Sequence, residues 1–65
     1  MGFNKRFVKF ENILSRLENK EPLTNYFSAD ALFLTDKKSK KIYDLHVDGV
    51  KDSVILEKIK NGELE

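Results

Sequence analysis

Phe3, Phe7, Phe10, Leu14 and Leu17 recur at spacings of four, three, four and three residues, and Pro22 closes the segment that carries them. At 100° per residue the five fall within about 80° of arc, a narrow apolar stripe of the kind an amphipathic helix turns toward a core. The spacing predicts a helix over residues 4–20, with Asn4 as N-cap and Ile13 widening one flank of the stripe. Glu21 precedes a proline and is pushed out of the α region, which ends the helix. The same spacing is a coiled-coil seam, although two heptads are too few to stand alone. Covering a small sheet is therefore the first reading of the stripe, and a homodimer through helix 1 is the second.

Sixty-five residues make a single small domain, residues 1–65, with a core that is marginal unless something supplements it. The chain has no cysteine, which removes disulfides and thiolate metal sites. The lone histidine, His46, needs several carboxylates beside it to hold zinc. A partner, another protein or a larger complex, is the supplement that remains. No apolar run approaches the ~20 residues of a membrane-spanning helix. The first residues lack a secretory signal, and Arg6 stands where a myristoylation motif has Ser or Thr. The expectation is a cytoplasmic protein without membrane contact.

Beyond Pro22 the chain reads as a connection anchored by Tyr26 and Phe27, with some of it in a helical turn. Ala31–Thr35 then reads as a strand, Asp36–Lys41 as a polar turn, and Ile42–Val47 as the returning strand of a β-hairpin. Tyr43, Leu45 and Val47 would form its dry face and Asp44 and His46 its wet one. Asp48-Gly49 breaks the strand. Residues 53–61 read as a second helix with Asp52 or Ser53 as N-cap and Gly62 at C′; a third strand through Val54–Leu56 is the competing reading. The expected fold is thus α+β, a small helix–β-hairpin–helix, with the N-terminal amphipathic helix packed on a short antiparallel sheet. Leu32, Leu34, Tyr43, Leu45 and Val47 should meet Phe7, Phe10, Leu14 and Leu17.

The catalytic inventory is thin. The three glycines are too scattered to cradle a phosphate, and no nucleophile has a local base. The expectation is no enzyme, no cofactor and no metal. Asp44, His46 and Asp48 would share one face of a strand, a set that in principle holds a divalent ion. The simpler reading is the wet face of a hairpin, which a half-buried antiparallel pair requires in any case. Asp44-Leu45-His46 also resembles the Asp-Leu-His signature of Smr nuclease domains, where the motif closes a strand before a helix. The resemblance covers a short stretch, with Val47 where the usual glycine follows the histidine, and no activity is carried over from it.

Charge is more informative than motif. On the predicted first helix Lys5, Lys9, Arg16 and Lys20 fall between about 140° and 200° on the wheel, opposite the phenylalanines. The predicted hairpin tip adds Lys37, Lys38, Lys40 and Lys41. The functional expectation is a non-catalytic binding module acting through a macromolecular partner, as a small regulator or inhibitor or as a minor subunit of a larger assembly. The alternative is binding to an RNA or DNA backbone through these eight cations, with strong salt dependence and little sequence preference.

Overall fold

Lys5–Val8 is extended, not helical. In the computed structural model, which describes residues 4–64, the order of elements is β1 (Lys5–Val8), α1 (Phe10–Glu18), α2 (Leu23–Tyr26), β2 (Ala31–Leu34), α3 (Lys37–Val47) and α4 (Asp52–Lys60). β1 and β2 pair in parallel, with Lys5 opposite Ala31 and Val8 opposite Leu34. The backbone N–H groups of Ala31 and Thr35 donate to the carbonyls of Asn4 and Val8, each at 3.0 Å. Parallel neighbours cannot be joined by a tight turn, and α1 and α2 supply the crossover. The fold is α+β, with four helices and a two-stranded parallel sheet among the described residues. The expected antiparallel sheet and helix–hairpin–helix order are both overturned.

The expected hairpin fails because its turn and second strand are one helix. Asp36 is the N-cap of α3: its Oδ1 accepts from the Ser39 N–H at 2.7 Å, and the Asp36 N–H donates to Ser39 Oγ at 3.3 Å, a capping box. The lysines that follow favour a helix. Ser39, Ile42 and His46 then recur at three and four residues on the inner side of α3, with Ser39 and Ile42 fully buried. Tyr43, Leu45 and Val47 do not form one dry face, since Val47 is 64% exposed. Gly49, at a φ of +90°, is the C′ residue that stops the helix; its N–H donates to the His46 carbonyl and that of Val50 to Leu45. Asp48-Gly49 therefore ends a helix instead of breaking a strand.

The expected helix over residues 4–20 keeps only its second half. No local side chain caps α1 at Lys9. Its first N–H, that of Phe10, donates instead to Asp36 Oδ2 at 3.1 Å, a partner twenty-six residues away. Asn4 is not an N-cap: its N–H donates to Asp30 Oδ2 at 3.1 Å, beside the sheet. Phe3, counted in the stripe, lies outside the described residues.

The core is built from Val8 of β1, Ile13 and Leu17 of α1, Leu23 and Tyr26 of α2, Phe27, Ile42 of α3, Ile55 of α4, and Leu64. Phe10, Leu32, Leu34, Tyr43 and Leu45 pack against it, so these expected core residues do lie at the core, though in a different arrangement of elements. Phe7 is not: it is 62% exposed. Leu14 lies outside the core cluster, whose α1 line is Phe10, Ile13 and Leu17. Of the stripe on which a homodimer through helix 1 was read, Leu17 is buried within the chain, Phe10 and Leu14 are half-buried, and Phe7 lies on β1 and is exposed. The helical turn with Tyr26 and Phe27 as anchors, the strand over 31–34 and the helix stopped by Gly62 form as expected, although that helix begins at Asp52 with Lys51 as its N-cap, not Asp52 or Ser53. No described helix is long and apolar enough to cross a membrane.

Candidate functional site

The eight cations expected on a first helix and a hairpin tip fall on β1, the residue after it, α1, the residues after that and α3. Lys5 sits at the start of β1 and Lys9 between β1 and α1, both exposed. The Arg16 guanidinium lies 4.4 Å from the Tyr26 ring centroid and within 4.0 Å of the Glu21 carboxylate. Lys20 follows α1 in the left-handed region, at a φ of +62°. Lys37, Lys38, Lys40 and Lys41 fall on the first turns of α3, not on a loop. Among them Lys38 Nζ lies 4.8 Å from the Phe10 ring centroid, and Lys41 Nζ donates to the Leu64 carbonyl at 3.2 Å. Arg16 and Lys41 thus serve packing at least as much as surface charge.

Asp44, His46 and Asp48 do not line one face of a strand. Asp44 and His46 belong to α3, and Asp48 is its C-cap. His46 packs against Phe27 with ring centroids 5.1 Å apart, while Asp44 and Asp48 are exposed. Among the described residues no three His, Asp or Glu side chains are placed to hold a metal ion. The Asp44-Leu45-His46 stretch lies inside a helix, which is not the strand-closing context of the Smr signature.

The structure instead assembles a surface that the helical reading of residues 4–20 hid. Alternation along β1 turns Val8 into the core and Phe7 outward; on β2 it packs Leu32 and Leu34 against the core and leaves Phe33 outward. Phe7 and Phe33 are register partners, and their rings stack with centroids 5.1 Å apart and planes 24° from parallel. They are 62% and 43% exposed. Lys5 precedes Phe7 by two residues on the same strand face, and the extended backbone at Lys9 continues that alternation. The opposite face holds Arg6, whose guanidinium lies 4.9 Å from the Tyr26 ring centroid and whose Nε makes no hydrogen bond among the described residues.

At the carboxyl end of both strands, the N-termini of α1 and α3 meet around Asp36. Burial tends to raise its pKa, but the N–H groups of Phe10 and Ser39, the Ser39 hydroxyl and the nearby Lys38 charge outweigh that, and the carboxyl is held below 3.8. The carboxylate occupies the position where an anion would sit on two helix N-termini. A separate groove of about 720 Å³ runs between the end of α1 and α4, over Leu17 and Leu56. Its rim mixes Glu18, Glu21 and Asp52 with Lys20 and Lys60, which favours no single ligand charge.

A small α+β fold with a half-covered parallel sheet and an exposed aromatic pair is the class these observations define. No known protein family, no curated protein and no solved structure matches the chain. No alternation of apolar and polar residues marks the aromatic surface in the sequence: Phe7 and Val8 are adjacent in Lys5-Arg6-Phe7-Val8-Lys9, and only a strand sends them to opposite faces.

Proposed function

We propose that this chain is a non-catalytic binding module that works through a macromolecular partner, as a small regulator or inhibitor or a minor subunit of a larger assembly, and meets it through the open face of β1 and β2. The stacked Phe7–Phe33 pair carries this reading. Burying a phenylalanine is worth roughly 1.5–3 kcal/mol relative to leaving it in water. A chain this small, with little core to spare, leaves two of its five phenylalanines exposed and side by side. Single exposed apolar residues are ordinary, but a contiguous pair on an uncovered sheet face is a docking feature. Neither strand has a second neighbour among the described residues, so both sheet edges also offer backbone groups to a partner.

Site-specific crosslinking in the native host tests it. A photoreactive phenylalanine analogue at position 33 should give a specific adduct, and the same group at Asp44, on the outer side of α3, should not. An absence of adduct at position 33 overturns the assignment of the surface.

A further inference from the structure

The class of partner can be taken further, resting on the surface just proposed. We infer that the open sheet face takes a single-stranded nucleic acid, with bases stacked on Phe7 and Phe33 and the backbone drawn to Lys5 and Lys9. Alternation places Lys5, Phe7 and Lys9 on the outer side of β1 and Ala31, Phe33 and Thr35 on that of β2. That set holds two rings and two ammonium groups, and no carboxylate. Alternate residues of a strand stand about 7 Å apart, so the cations flank the aromatic pair instead of covering it.

Three physical arguments select this occupant. Aromatic rings beside cations are what a flexible polyanion with exposed bases needs, because every base offers a π-face and every phosphate a charge. The centre of a protein–protein interface is enriched in aromatics but depleted in lysine, whose ammonium must shed water there. A duplex keeps its bases stacked on one another, so rings on a flat sheet reach only unstacked ones. Lys37 and Lys38, at the start of α3, add charge near the carboxyl end of the strands. The helix N-termini at that end add none of their own, because Asp36 already takes the Phe10 and Ser39 N–H groups.

Fluorescence anisotropy with labelled oligothymidylate, oligouridylate and a matched duplex provides the test. The single strands should bind at low salt and the duplex much more weakly. Phe7→Ala should lower single-strand affinity roughly tenfold or more, and an unchanged circular dichroism spectrum and melting midpoint will show that the fold is intact. The double variant Lys5→Ala/Lys9→Ala should reduce the slope of log affinity against log salt by about 1.4. Undetectable binding at the lowest salt, equal binding to duplex, or affinity indifferent to Phe7→Ala overturns the inference. So does a dimer in sedimentation that Phe7→Ala dissociates, since a second copy then occupies the face. If oligonucleotides fail while the position-33 crosslink forms, the nucleic-acid inference falls and the binding surface stands; if both fail, both fall.

Discussion

One carboxylate joins two helices to each other. Asp36 Oδ1 caps α3 through the Ser39 N–H, and Oδ2 accepts the Phe10 N–H that opens α1. Both bonds favour the ionised form, which is why the pKa is lowered in spite of the desolvation that opposes it. A carboxyl whose pKa is lower in the folded state binds protons less readily there than when unfolded. Its contribution to stability is therefore complete above the ordinary value of 3.8 and is lost as pH falls from there through the folded value. Asp36→Asn keeps an oxygen for the cap but turns a donor toward the Phe10 N–H. The substitution should cost roughly 1–3 kcal/mol at neutral pH, the penalty of leaving a partly buried donor unpaired. Urea denaturation measured from neutral pH down through the carboxylate range checks both statements. The variant should lose less stability on acidification than the wild type.

At the scale of the element, helix ends explain most of what was and was not legible. α1, α3 and α4 all close with the same pair of backbone bonds, at Lys20, Gly49 and Gly62 as C′ residues. Two use glycine, which takes positive φ without strain; Lys20 takes it at +62°. Lys20→Gly should raise stability by about 1 kcal/mol, less what the added freedom of the unfolded chain removes, and a thermal melt will show it as a rise of a few degrees. Gly62 was readable as a helix stop because the signal is local. The start of α1 was not, because its cap comes from Asp36. That shift of frame also moves the core line of α1 from Leu14 to Ile13. Ile13→Ala should cost roughly 2–5 kcal/mol, whereas Leu14→Ala, at a half-buried position outside the core cluster, should cost less than half as much. Paired denaturation curves decide it. Ile13→Asp, which places a charge in that core, should abolish folding.

For the whole molecule, the stretch from Asn4 to Leu23 is tied to the rest by three aspartates. Asp30, Asp36 and Asp52 accept the N–H groups of Asn4, Phe10 and Leu23, each at 3.1 Å and across twenty-six or more residues. None of these ties has a sequence signature, since an aspartate before a strand or at the start of a helix reads as a local cap or turn residue. The sequence by itself determined the elements whose signals are local: the strand at 31–34 in its apolar run, the anchors Tyr26 and Phe27, and α4 with its stop at Gly62. It also held the capping box at Asp36 and Ser39, which the alternation of Tyr43, Leu45 and Val47 masked. Only the tertiary structure decided that Lys5–Val8 is a strand. Its residues suit helix and sheet about equally, and the parallel partner that settles the matter lies across a crossover of two helices. The candidate surface follows from that decision. In a helix Phe7 would face the core; in β1 the period of two turns Val8 inward and leaves Phe7 outside, stacked on Phe33.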